Sequence, residues 1–387
     1  MEGLVVADFS RVLAGPLATM TLADLGANVI KVERPGGGDD TRSWGPPWTE
    51  KTTSYFESVN RSKSSVVLDL DDPADRSLAN ELARRADVVV HNFRAGVMER
   101  HGLSYQDVRA TNDAVVYCSI SGFGSRADIP GYDFVAQAVG GLMSITGSNA
   151  DEPTKVGVAI VDVLTGKDAV IGILAALQAR ARDGVGQHVE VNLLSSLLGG
   201  LVNQASAFLT TGQSPHQMGN KHPSIAPYET LRCSDGLLAV ACGNDAQFKR
   251  LAGVLGRSAI ATDVRFATNA ARVGNRVDLV DTLEAVLTTD TSTSWEKRLM
   301  GAGVPAGRVG SIQSAFELAK TLGLDPVVSM PDGSPGQVAH PIAYSRTTTV
   351  SPRVPPCLGE HGVPIREWLL MPKTSSAPTD QKECSTS

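Results

Sequence analysis

The sequence lacks paired cysteines: Cys118, Cys233, Cys242, Cys357 and Cys384 are scattered, odd in number and never spaced as CxxC. Neither a disulfide framework nor a zinc site is expected, and a reducing, cytoplasmic setting is the default. The opening residues MEGLVVADFS carry no basic n-region and no long apolar h-region, so no signal peptide is expected. The longest apolar stretch, residues 159 to 181, is broken by Asp162, Lys167 and Asp168. Such charges rarely sit in a bilayer, so a buried helix is expected there instead of a membrane span. A formal net charge of −6 leaves no global basic field, which argues against nucleic acid or an anionic membrane as partner.

Catalytic signatures are also missing. There is no GxxxxGK[ST], no HExxH and no GxSxG, which removes the usual marks of P-loop phosphoryl transfer, zinc hydrolysis and nucleophile-elbow hydrolysis. The seven histidines are dispersed and suggest no metal cluster. Gly122-Phe123-Gly124-Ser125-Arg126-Ala127 nominally fits the dinucleotide fingerprint. That fingerprint must open a helix, yet Asp128, Pro130 and Gly131 follow at once, so no nicotinamide or flavin cofactor is expected.

What the sequence does contain is alternation. Leu4 to Phe9 reads as a strand, Leu17 to Leu25 has helical spacing, and Asn28 to Glu33 is a second strand. Pro16 suits a first helical turn and Gly26 a helix stop. The pattern repeats with strands at Ser65 to Leu70, Asp87 to His91 and Ala114 to Ile120, and a helix at Pro73 to Arg85. Helices are expected at Tyr132 to Met143 and Asp162 to Arg182, then a strand at His188 to Asn192 and one more long apolar helix. This order predicts an α/β fold with a largely parallel sheet covered on both faces.

Residues 212 to 228 turn to Gly, Pro, Ser, His and Asn, as a domain crossing would. A strand pair about Ser234-Asp235-Gly236 and helices near 245 to 255, 276 to 288 and 294 to 301 then predict a smaller α/β domain. We expect a large domain over residues 1 to 200 completed by 340 to 373, a small one over 225 to 330, linkers at 201 to 224 and 331 to 339, and a disordered tail at 374 to 387.

Asp162 lies in the apolar context VGVAIVDVLTG. An ionised carboxylate there is costly unless hydrogen-bonded or functional. Two readings stay open, a helix N-cap and a working carboxylate, and they are compatible because a helix N-terminus also favours negative charge.

Several segments carry a recognisable pattern in order: DFSRVLAGP at 8 to 16, LGANVIKVERPGGGD at 25 to 39, NRSKSSVVLDL at 60 to 70, VVVHNFRAGVMERHGL at 88 to 103, GYDFVAQAVGGLMSITG at 131 to 147, VDVLTG at 161 to 166 and GNKHPSIAPYETLRCSDG at 219 to 236. The chain resembles the class III CoA-transferases over nearly its whole length. The resemblance implies a Rossmann-like large domain, an interlocked homodimer, and transfer of CoA between an acyl-CoA and a free carboxylic acid, with no metal or redox cofactor. It implies that Asp162 is the nucleophile, passing through a mixed anhydride and an aspartyl-CoA thioester.

The resemblance also places Arg34, Arg100, Asn92, Phe93, Leu68 and Asp69 against CoA, with Arg11, Leu13, Gly131, Tyr132 and Asp133 around the pocket. Gly219-Asn220-Lys221-His222 matches the family's mobile loop. Arg11 and Leu13 differ in type from formyl-CoA transferases, Pro130 stands where those have a lysine, and the loop has one glycine where they have a run. The segment GNKHPSIAPYE resembles the branch acting on dicarboxylic acids such as succinate or glutarate. The related α-methylacyl-CoA racemases are the nearest alternative, but they show GHD where this chain has Gly131-Tyr132-Asp133, and tyrosine replaces imidazole poorly near neutral pH. A CoA-binding protein without catalysis is the third reading.

Overall fold

The structure is a computed structural model describing residues 1–127, 129–148, 151–372 and 377–378. Two compact units make up the chain. The first is built from residues 1–142, 156–213 and 325 onward, and the second from 143–155 and 214–324. The tail expected to be disordered lies outside the described residues, apart from Ala377 and Pro378.

In the first unit, strands β1 (Val5–Asp8), β2 (Asn28–Glu33), β3 (Lys63–Val67), β4 (Val88–His91), β5 (Val116–Ser121) and β6 (Gln187–Asn192) form one sheet in the order β3-β2-β1-β4-β5-β6. Every pairing is parallel. Helices α1 (Ala14–Asp24), α2 (Ser54–Glu57), α3 (Pro73–Arg85), α4 (Val97–Arg100), α5 (Tyr105–Thr111), α6 (Asp133–Val139), α7 (Ile160–Asp183), α8 (Leu193–Gly200) and α9 (Val202–Thr211) punctuate or follow the strands. Val6, Val88 and Cys118 face one buried cluster with α1 and α7, while Ala7, Val89 and Tyr117 face another with α3 and α5. Strands covered on both faces are why β1 and β4 are almost wholly apolar in sequence.

Local chemistry sets the boundaries. The Asp72 carboxylate caps α3 by accepting from the Ala74 and Asp75 amides, with Pro73 at the first helical position. The helix expected over 132 to 143 stops at Val139, because Gly141, just past the Gly140 cap, turns left-handed at φ 86°. The long helix expected after β6 is two helices bent by 82° at Leu201 and Val202, after the weak pair Gly199-Gly200. No single helix among the described residues is long and apolar enough to cross a membrane.

The second unit holds an antiparallel sheet of β7 (Tyr228–Cys233), β8 (Gly236–Ala241) and β9 (Ala306–Arg308). Helices α10 (Asp245–Val254), α11 (Asn269–Gly274), α12 (Arg276–Leu287), α13 (Ser292–Gly301) and α14 (Ile312–Thr321) accompany it, around a core that includes Phe248, Leu283 and Trp295. The chain then returns to the first unit through the ribbon of β10 (Val327–Val328) and β11 (Gln337–Val338). It ends with α15 (Gly362–Leu370), whose Ile365 and Trp368 join the first core.

Candidate active site

The strand order reverses at β1, which lies between β2 and β4. In doubly wound sheets the loops beyond such a point part and leave a crevice. Here the two loops are stitched across it: the Arg11 amide donates to Asn92 Oδ1 at 2.8 Å, and Asn92 Nδ2 returns a bond to the Arg11 carbonyl at 2.6 Å. Between them Val12 is held at φ 72°, a strained conformation for a β-branched residue.

A buried charge network holds that strain. The Asp8 carboxylate, fully buried, accepts from Ser10, from Thr19 Oγ1 at 2.6 Å and from Lys63 Nζ at 3.0 Å. Burial opposes its ionisation most, but Lys63, Lys31 and the hydroxyls of Ser10 and Thr19 together outweigh it and hold the carboxyl down at about 2. Lys31 Nζ reaches the Ser10 carbonyl and Asp39 Oδ2, both at 2.9 Å, and Asp39 Oδ1 accepts the Val12 amide at 3.2 Å. Glu33 pairs with Arg42 and accepts from Ser65 Oγ at 2.6 Å. Much of the motif text in residues 8 to 39 is therefore scaffolding that fixes one loop.

Above the crevice lies a cavity of about 630 Å³. It is lined by Arg11, Leu13, Asn92, Phe93, Gly131, Tyr132 and Asp162, which brings together seven residues expected at the site. A neighbouring cavity of about 170 Å³ is lined by Arg34, Leu68 and Asp69, and Arg11 and Phe93 border both. The Arg11 guanidinium lies 5.1 Å from the Phe93 ring centre, and Asp40 pairs with both Arg11 and Arg34. Arg100, the last residue of α4, is exposed and lines neither cavity. Gly219, Asn220, Lys221 and His222 belong to the second unit. There the Gly219 amide donates to the Gly147 carbonyl at 3.0 Å and Asn220 Nδ2 to Thr230 Oγ1 at 3.1 Å.

Asp162 is not the cap of its helix. The N-cap of α7 is Ala159, which contributes no side-chain bond, and Asp162 is the third helical residue. The cap comes instead from Asp133, whose Oδ1 accepts from the Val161 amide at 2.7 Å and the Asp162 amide at 3.2 Å. That result sets aside the N-cap reading and leaves the Asp162 carboxylate with no hydrogen bond among the described residues. Burial first, then the neighbouring charge of Asp133, push its carboxyl up to about 7. Gly122 and Gly131 close the rim: a Cβ on Gly122 would lie 2.5 Å from the Gly131 Cα, so only two glycines let these backbones touch.

Several residues of this region carried no sequence signal. Tyr55 in α2 is raised to about 12 by burial and then by the charges of Asp162, Asp133 and Asp39, so its phenol lies within electrostatic reach of the site. His91, Ser119 and His188 line the same cavity as Asp162. Only a pairing of strand registers brings these three together.

The model of CoA-transferase family III matches residues 1–362. The chain belongs to CoA-transferase family III. This family III transferase is 43% identical to a succinate–glutarate CoA-transferase of Agrobacterium fabrum, with 98% of each chain covered. It is 39% identical to a mouse succinyl-CoA:glutarate CoA-transferase, over 96% of this chain and 86% of the relative. A crystal structure of a CaiB/BaiF family protein from Brucella suis superposes with a TM-score of 0.85 at 42% identity, covering 95% of this chain and 98% of that one. The enzyme accordingly moves CoA between an acyl-CoA and a carboxylic acid.

Proposed function

We propose that this transferase exchanges CoA between succinyl-CoA and a second dicarboxylic acid of the glutarate class, with Asp162 as the covalent carrier. The observation that carries the reading is the Asp162 carboxyl: it borders the large cavity, lacks any hydrogen-bond donor among the described residues, and sits in the first turn of α7. A carboxylate without donors keeps its lone pairs for attack, and one raised to about 7 is more basic than an ordinary aspartate. The names of the relatives from Agrobacterium and mouse support the choice of acids.

In the cycle, Asp162 attacks the thioester carbonyl of the donor, forming a mixed anhydride and releasing CoA thiolate. The thiolate attacks the aspartyl carbonyl, giving an aspartyl-CoA thioester and the free donor acid. The acceptor carboxylate then attacks that thioester, forming a new anhydride and releasing CoA again. CoA takes the acceptor acyl group and returns Asp162 as carboxylate. No thioester is lost to water provided the intermediates are covered, the role we assign to Gly219-Asn220-Lys221-His222. Arg34, Leu68, Asp69, Asn92, Phe93 and Arg100 are assigned to CoA, with Arg11 and Leu13 shaping the pocket.

On this reading the enzyme is a cytoplasmic, interlocked homodimer. Exposed apolar side chains on two helices support an interface: no residue of α9 or α14 is buried, and Leu209 and Ile312 are each 81% exposed. The test is incubation with succinyl-CoA and a panel of free acids, with acyl-CoA species followed by mass. Glutaryl-CoA is expected from the wild type. Asp162→Ala should lower kcat by at least ~10³-fold, in the range of lost nucleophiles. Unchanged exchange in that variant would remove Asp162 from the mechanism. Solvent deuterium at the α-carbon of a branched acyl-CoA, without exchange, would make the enzyme a racemase.

A further inference from the structure

The large cavity has a second wall whose chemistry the transfer cycle does not use. On it three side chains from adjacent strands are joined: His91 Nε2 lies 2.9 Å from Ser119 Oγ, which lies 2.8 Å from His188 Nε2. His91 and Ser119 are register partners across β4 and β5, and His188 pairs with Tyr117 across β5 and β6.

The direction of this chain is fixed from one end. The Phe93 amide, which can only donate, reaches His91 Nδ1 at 3.3 Å. Burial, and then His188, hold His91 down at about 4, so its ring is neutral at physiological pH and carries its proton on Nε2. That proton goes to Ser119 Oγ, and the hydroxyl proton of Ser119, which meets no other acceptor among the described residues, goes to His188 Nε2. Burial lowers His188 as well, against the opposing pull of Glu190. A neutral His188 accepting at Nε2 must hold its own proton on Nδ1. No described residue accepts from that atom. Tyr105 stacks on the His188 ring at 4.9 Å and Tyr117 meets it edge-on at 5.5 Å, locking its orientation.

We propose that the His91–Ser119–His188 chain presents the His188 Nδ1–H to the cavity as a fixed neutral donor for an amide carbonyl of the pantetheine arm of CoA. The ligand class follows from the wall. Glu190 of β6 acts on the His188 ring and Glu99 of α4 lines the same cavity, which disfavours a carboxylate or phosphate at that ring. The half-buried Tyr105 ring, which lines the cavity, suits the methylene and methyl groups between the amides. The cations bordering the two cavities include Arg11, Arg94 and Arg34. His188 is thus a binding residue, and Ser119 and His91 are positioning residues acting through it. This inference rests on the reading of the cavity as a CoA site.

The test is calorimetric titration of the full-length enzyme with CoA and with adenosine 3′,5′-bisphosphate, which lacks the pantetheine arm. His188→Ala should weaken CoA binding about 10-fold, the upper range for one neutral hydrogen bond, and leave the bisphosphate unaffected. His188→Asn, whose amide nitrogen stands in for Nδ1, should restore most of the loss. Ser119→Ala should release His188 from its single tautomer, read from the ¹⁵N shifts of the ring. Equal losses for both ligands, no loss of CoA affinity, or an unchanged tautomer would each overturn the inference while leaving the CoA site in place. A wild type that binds neither ligand would instead take down the reading of the cavity on which the inference stands.

Discussion

Asp8 and Asp162 are both withdrawn from water in the first unit, yet one is held down at about 2 and the other pushed up to about 7. Burial raises both. Asp8 at the end of β1 has two ammonium groups and two hydroxyls in attendance. Asp162 has no partner for its oxygens among the described residues and a second carboxylate beside it. Burial alone therefore does not say what a carboxylate is for. The satisfied one fixes a strained loop, and the unsatisfied one borders the cavity.

The contrast can be broken at its structural end with the largest effect on stability. Lys63→Met removes the ammonium nearest Asp8 and leaves a buried charge, which should cost about 3–5 kcal/mol in chemical denaturation. A loss below about 1 kcal/mol would mean that Lys31 alone satisfies Asp8.

A smaller effect of opposite sign is expected at the other end. The folded Asp162 has a raised pKa, so its contribution to stability is complete below about 4 and is lost as pH rises through about 7. Asp162→Asn does not ionise. It should gain on the wild type across that window and hold a lead of about 2–4 °C in Tm near pH ~8. Equal melting temperatures at all pH values would show that Asp162 is not raised.

The smallest expected shift sharpens the role of Asp133. Asp133→Asn keeps an acceptor for the α7 amides but removes the neighbouring charge. The acidic limb of kcat/KM, expected near 7 in the wild type, should move down by roughly half a pH unit. A limb that stays in place would leave burial as the sole cause of the raised value.

The alternation of the first third was legible because short runs rich in valine and isoleucine, clearest in β1 and β4, alternate with helices that carry strong end signals, as at Asp72-Pro73. Asp162 was legible as an apolar-context carboxylate, but not its helical position, since the residue that caps α7 lies 26 residues upstream of Ala159 in a separate helix. Residues 143–155 give no compositional sign that they pack with 214–324. Nothing in the sequence singled out Lys31, Glu33, Asp39 and Lys63 as buried, yet all four are buried in the fold. The His91–Ser119–His188 chain exists only once three strands are in register.

The first unit takes the core residues Ile365, Trp368 and Leu369 from α15, which follows the whole second unit in sequence. During synthesis, its hydrophobic face against α3 stays open until α15 has left the ribosome. The second unit, with its sheet and helices between 214 and 324, is out of the exit tunnel well before that moment. Order of emergence and order of completion are thus reversed: the unit that begins the chain is the last to close, and a nascent chain stalled before α15 is an exposed target for chaperones.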